Sequence, residues 1–110
     1  MSGPAWVAVA DDVSIKEGVP LAVYPKGLAV LVIRQHGELF AIANKCAHMA
    51  CPLKAGRLDG YVITCPCHDW RFDIRDGAFL DAPELAISTY AVKEKDGKVL
   101  VRLEEARDGG

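Results

Sequence analysis

Short apolar runs separated by glycine-containing turns are the feature that most restricts the fold of this chain. The runs typical of strands are Trp6–Ala10, Leu21–Tyr24, Leu28–Arg34, Leu39–Ala43, Tyr61–Thr64, Arg71–Ile74, Tyr90–Val92 and Val99–Leu103. Between them fall the dipeptides His36-Gly37, Asp59-Gly60, Asp76-Gly77 and Asp96-Gly97. A glycine after a short polar residue supplies the positive φ of a tight hairpin turn. The pattern predicts an all-β fold, an antiparallel sandwich or barrel, with at most a short helical turn over Val13–Glu17.

The length and composition indicate one folded domain over residues 1–110. A chain of 110 residues has the size of one domain, and 51% apolar with 25% charged residues excludes a disordered chain. The charged, glycine-ended segment at about 104–110 is expected to be a frayed tail.

Charge and hydropathy exclude two classes of partner. The net charge is −2 and no basic stripe is present, so we expect no nucleic-acid partner. The longest uninterrupted apolar run, Leu28–Ile33, is far too short to span a membrane. The first residues lack a basic segment followed by an apolar one, the pattern of a signal peptide, so a cytoplasmic location is expected.

Two irregular segments, Lys45–Arg57 and Cys65–Trp70, hold all four cysteines and two of the three histidines. The first contains Cys46-Ala47-His48; sixteen residues later the second begins, as Cys65-Pro66-Cys67-His68. A predicted hairpin over Leu58–Thr64 lies between them. Because a hairpin returns the chain to where it left, the two segments should meet at one end of the sheet. That arrangement gathers thiolates and imidazoles in one small volume.

Three kinds of site compete for this constellation. A pair of disulfides fits four cysteines, but it leaves His48 and His68 unexplained. A structural zinc site usually takes Cys and His as separate C-x₂₋₄-C and H-x₃₋₅-H pairs, whereas here each segment supplies one of each. The third is a [2Fe–2S] cluster with two Cys on one iron and two His on the other.

The two segments resemble the boxes of the Rieske iron–sulfur family. The first box reads C-x-H-x₄-L over Cys46–Leu53, and the second reads C-P-x-H over Cys65–His68. The resemblance extends from about Trp6 to Leu103. It implies a Rieske-type antiparallel β-sandwich of three layers with a small cluster-binding lobe.

The same resemblance implies a ligand set for one [2Fe–2S] cluster. Cys46 and Cys65 would bind the inner iron, and His48 and His68 the outer iron near solvent. Two imidazoles in place of two thiolates raise the potential into a range of about −150 to +300 mV.

Several residues beside the ligands bear on that potential. In the high-potential branch of the family, cysteines at the positions of Cys51 and Cys67 form a disulfide, so this pair is expected to be bridged. That branch also has Ser and Tyr hydroxyls where this chain has Trp70 and Phe72. Without those hydrogen bonds to sulfur, we expect a potential in the lower half of the range. Asp69 replaces an expected glycine, and Asp can adopt the left-handed backbone that this position needs.

Basic side chains cluster in sequence around the two boxes. They either lie solvated at the surface or steer an acidic partner. The set comprises Lys45, Lys54, Arg57, Arg71 and Arg75.

The resemblance implies a ferredoxin, an electron-transfer protein and not an enzyme. Such a protein carries one electron from a reductase to an oxygenase or other redox enzyme, through transient contacts with both. No mononuclear-iron facial triad is apparent in the sequence, which argues against a complete dioxygenase. The alternative is a Rieske small subunit of a larger oxidoreductase, of the nitrite reductase or arsenite oxidase type.

Overall fold

Ten β-strands form three antiparallel sheets in the computed structural model, which describes residues 6–44, 52–67 and 69–103. The strands are β1 (Trp6–Asp11), β2 (Leu21–Val23), β3 (Val30–Gln35), β4 (Glu38–Ala43), β5 (Arg57–Asp59), β6 (Val62–Thr64), β7 (Arg71–Asp73), β8 (Thr89–Tyr90), β9 (Val92–Lys95) and β10 (Lys98–Arg102). Their orders are β1-β10-β9, β2-β3-β4-β8 and β5-β6-β7. The predicted all-β antiparallel fold is confirmed.

Strand β3 explains why the sheets stack as three layers. Leu31 and Ile33 belong to one buried apolar cluster, while Val30 and Val32 belong to a second. Successive side chains of a strand point to opposite faces, so the middle sheet is covered on both sides. The first cluster lies toward β6 and β7, and the second toward β10.

Tight turns connect the strands where glycine dipeptides predicted them. His36 and Gly37 join β3 to β4, both with positive φ (54° and 79°), as a two-residue turn with a matching twist requires. Asp96 and Gly97 join β9 to β10 in the same way. Asp59-Gly60 lies at the tip of the β5–β6 hairpin, so the predicted hairpin between the two boxes is confirmed.

Two predicted elements differ from the structure. The run Tyr90–Val92 is divided at Ala91, because β8 pairs with β4 in the middle sheet while β9 pairs with β10 in the first. The short helical turn predicted over Val13–Glu17 is a 3₁₀ turn at Asp12–Ser14. The described residues form two further 3₁₀ turns, at Pro25–Gly27 and Leu53–Ala55. Within the described ranges no helix is long and apolar enough to cross a membrane.

The third sheet, β5-β6-β7, forms the lobe that carries the second box at its end. Its inward row consists of Leu58, Ile63 and Phe72, the last two fully buried. The outward row beside it is polar and exposed or half-buried. The predicted frayed tail at 104–110 lies outside the described residues.

Candidate metal centre

The structure describes one of the four predicted ligands, Cys65, which follows the last residue of β6. Cys46, His48 and His68 lie outside the described residues, as does Cys51. Among the residues that are described, no group of three or more His, Cys, Asp or Glu side chains could hold a metal ion. The ligand set therefore stays a prediction at all four positions, and the structure shows the surroundings of one of them.

Cys65 has the surroundings of a shielded metal ligand. Its thiol is free and its exposed fraction is 0%. Its backbone N–H donates to the carbonyl of Trp70 at 2.7 Å, and its own carbonyl accepts from the N–H of Asp69 at 3.0 Å. These two bonds close the second box into a tight loop and fix the direction of the cysteine. A free, buried thiol packed in an apolar cluster fits a thiolate ligand of a cluster kept away from solvent.

The second box contains a further cysteine with a different state. Cys67 is exposed and takes part in a disulfide. Its predicted pairing with Cys51 stays a prediction, because Cys51 is not among the described residues.

Asp69 adopts the left-handed conformation that the sequence predicted for it. Its φ is 58°, a region that glycine adopts freely and that Asp and Asn tolerate better than other residues. The tight loop of the second box thus forms with an aspartate where the family pattern has glycine.

Two buried side-chain amides, which the sequence analysis missed, position the lobe. Asn44 is 6% exposed, and its Oδ1 accepts the backbone N–H of Lys54 at 2.9 Å, so it joins the chain before and after the first box. Gln35 is 9% exposed and donates from Nε2 to the carbonyl of Gly60 at 2.5 Å, which ties β3 to the β5–β6 hairpin. The sequence feature that could have pointed to these two residues is composition, because they are the only Asn and Gln in the chain.

Aromatic rings occupy the two positions after the second box, Trp70 and Phe72, at which the sequence analysis noted missing hydroxyls. Trp70 stacks on Phe79 with ring centroids 4.1 Å apart and planes 5° from parallel. Phe72 is fully buried and lies 5.6 Å from Phe79, so the three rings form one packed group below the second box. Neither Trp70 nor Phe72 carries a hydroxyl that could donate to a ligand sulfur.

Asp73, the last residue of β7, forms an ion pair with Arg75 in the turn that follows. Arg75 donates from Nε to Oδ1 at 3.0 Å and from Nη2 to Oδ2 at 2.8 Å, a two-pronged arrangement. These side-chain hydrogen bonds hold the pKa of the Asp73 carboxyl below its usual range, against the opposing effect of partial burial. The same contact raises the pKa of the guanidinium. Arg75 also lies over the ring of Tyr61, 4.4 Å from its centroid, so its guanidinium already has two partners within the protein.

Comparisons with known proteins find similar sequences and similar folds. Residues 5–91 match the family described as Rieske [2Fe-2S] domain. The ferredoxin component of the naphthalene 1,2-dioxygenase system of Pseudomonas aeruginosa is 35% identical over 99 residues, which cover 89% of this chain and 95% of the relative. The structure is similar to the Sphingomonas yanoikuyae B1 ferredoxin, with a TM-score of 0.82 and 35% identity over 91% of this chain and all of that one.

A second solved structure is a complex. A chain from the complex of reduced oxygenase and oxidised ferredoxin in carbazole 1,9a-dioxygenase has a TM-score of 0.85 to this chain, at 27% identity. The match covers 96% of this chain and 99% of that one.

Proposed function

Because the chain belongs to the Rieske [2Fe–2S] domain family, we propose that Cys46 and Cys65 bind one iron of its single cluster and that His48 and His68 bind the other. The free, buried thiol of Cys65 supports this assignment. The β5–β6 hairpin supports it too, because it reverses the chain direction between the first box and the second. A bridge between Cys51 and Cys67 completes the proposal, since Cys67 is in a disulfide and Cys65 is not.

The chain is an electron-transfer protein, and we propose that it carries one electron from a reductase to the oxygenase of a dioxygenase system. The observation that carries this is the 35% identity to a dioxygenase ferredoxin component across nearly the full length of both chains. When bound, the cluster supplies a one-electron redox couple. The protein holds the buried Cys65 in a hydrogen-bonded loop. The amide of Gln35 ties the β5–β6 hairpin to β3, and the amide of Asn44 binds the segment that leads into β5.

We further propose a potential in the lower half of the range of about −150 to +300 mV. The packed aromatic rings of Trp70 and Phe72 support it, because hydroxyl donors that favour the reduced state are missing at those positions. Protein-film voltammetry measures this directly, and a midpoint in the upper half would contradict it.

The ligand assignment is tested by labelling. The protein is grown with ¹⁵N-histidine, reduced, and studied by pulsed electron paramagnetic resonance, which detects nitrogen bound to iron. We expect two coupled histidine nitrogens, and the His48→Ala and His68→Ala variants should each lose one or fail to assemble the cluster. A labelled protein with no ¹⁵N coupling would contradict the assignment.

The carrier function is tested by reconstitution. A reductive titration should take up one electron per chain, and the reduced protein should then support turnover by the terminal oxygenase of a naphthalene 1,2-dioxygenase system. The Cys65→Ser variant is the matched control and should fail in both steps.

We also place the protein in the cytoplasm, which cell fractionation tests. Mass spectrometry of the intact, alkylated protein shows whether Cys51 and Cys67 are bridged there.

A further inference from the structure

The outward face of the sheet β5-β6-β7 forms an open crevice beside the second box. Its volume is about 670 Å³. The central row is formed by Arg57, Thr64 and Arg71, which are cross-strand neighbours in the register of the three strands. The crevice also reaches Cys65 and Pro66, so whatever occupies it lies directly against the loop that carries one predicted ligand.

The two arginines of this row remain available to a partner. The side chain of Arg57 makes no hydrogen bond or ion pair with any described residue. Arg71 has one loose contact, 3.8 Å from Nη2 to Oδ1 of Asp81, and both side chains are more than half exposed (54% and 72%). Such an exposed, long pair contributes little and can be exchanged for another carboxylate. Arg75, by contrast, is already held by Asp73.

The acidic residues of the crevice lie at its two ends. Asp59 lies one row toward the hairpin tip, level with Val62. Asp69 lies on the opposite side of the arginines, beyond Cys65 in the second box. The middle of the crevice, above Thr64, is therefore flanked by two positive charges. The cross-strand row Arg57, Thr64 and Arg71 itself contains no carboxylate that would neutralise them.

We propose that a redox partner of this protein seats a surface carboxylate in the crevice, between the guanidinium groups of Arg57 and Arg71. A guanidinium group can bind a carboxylate with two parallel hydrogen bonds. Two guanidinium groups on neighbouring sides of Thr64 therefore favour an anionic group over a neutral one. A partner anchored there lies beside the second box, whose sequence contains two of the ligands that the proposed function assigns to the cluster, Cys65 and His68. Of the four basic residues around the boxes that the structure describes, Arg57 and Arg71 line this crevice, whereas Lys54 and Arg75 do not.

Charged small oxidants test the sign of the crevice without a protein partner. Oxidation of the reduced protein is followed by stopped flow with ferricyanide, an anion, and with hexaamminecobalt(III), a cation. The double variant Arg57→Gln/Arg71→Gln removes two positive charges beside Cys65. The matched control, Lys16→Gln/Lys95→Gln, removes two positive charges from residues that do not line the crevice.

At roughly 0.1 M salt, the crevice variant should react with ferricyanide about fivefold more slowly than the wild type. This figure assumes that the two removed charges lie about 10 Å from the bound oxidant and that salt screens them over one Debye length. It should react faster with the cobalt complex. The control should change either rate by about twofold at most. Equal changes in the two variants would mean that only net charge matters, and would overturn the proposal.

A short oligoglutamate tests the carboxylate directly. It should slow ferricyanide oxidation of the wild-type protein and of the lysine control, and it should have no effect on the crevice variant. Equal inhibition of all three proteins would also overturn the proposal. Failure of the proposed function is distinguishable, because a protein without a reducible cluster would show no electron transfer to either oxidant.

Discussion

Replacing Gly56 by alanine should loosen the lobe beside the predicted cluster site. A Cβ added at Gly56 would lie 1.9 Å from the backbone oxygen of Thr64 and 3.2 Å from that of Leu53. Ordinary contacts begin at 3.4 Å, so the strand β6 would have to move by about 1.5 Å relative to Gly56. The φ of Gly56 is −84°, which alanine adopts freely. The whole penalty is therefore steric.

The size of the effect follows from that displacement. Overpacking of a closely packed site typically costs about 1–3 kcal/mol, and a displaced backbone group should lie at the upper end, near 3 kcal/mol. At about 4 °C per kcal/mol, the apparent melting temperature should fall by about 12 °C. Since Thr64 directly precedes Cys65, the visible absorbance of the cluster should also be lost faster on heating.

Gly60 provides the matched control. It has a positive φ of 62°, and a Cβ there would meet no atom within 4 Å. Gly60→Ala therefore costs only left-handed strain, about 1 kcal/mol or about 4 °C, with no change in cluster loss. Melting is followed by tryptophan fluorescence and cluster loss by absorbance. A Gly56→Ala protein that melts as high as Gly60→Ala would refute the steric argument.

Three further perturbations give distinct readouts. Asn44→Ala leaves the N–H of Lys54 without its acceptor, which should cost about 1–3 kcal/mol in urea unfolding and speed iron release; an unchanged midpoint would show that the amide does not hold the lobe. His68→Cys should lower the reduction potential, because a thiolate adds negative charge to the cluster; voltammetry that finds the same potential would contradict His68 as a ligand. The pKa of Asp73 is lowered in the folded state, so its contribution to stability is present above about pH 4 and is lost as the pH falls through the folded-state pKa. Asp73→Asn should flatten this part of the stability profile in pH-dependent urea unfolding, and an equally steep profile would assign the acid sensitivity to other carboxyls.

Local sequence was sufficient for the features that depend on residue type and spacing. Glycine after His36 or Asp96 predicts a two-residue hairpin, because those backbone angles exclude most other residues. Asp69 was correctly predicted to take a left-handed conformation for the same kind of reason. The Cys and His boxes indicated the family, since few ligand sets share that spacing.

Longer-range features depended on which strands become neighbours. The apolar run around Leu31 predicted a strand, but only the stacking of sheets on both its faces shows that it lies in the middle layer. The split at Ala91 likewise has no local signal, because the chain changes sheets there to reach β10.

The sequence by itself determined the hairpins, the all-β class and the candidate ligands, because each depends on residues close together in the chain. Only the tertiary structure decided which polar side chains hold the segments around the two boxes. The buried amides of Asn44 and Gln35 do so because they face the backbone groups of Lys54 and Gly60. Arg57 and Arg71 became a pair because strand register placed them on either side of Thr64. Hydrogen bonds and charge pairs act over a few ångströms in space, and distance along the chain does not reveal them.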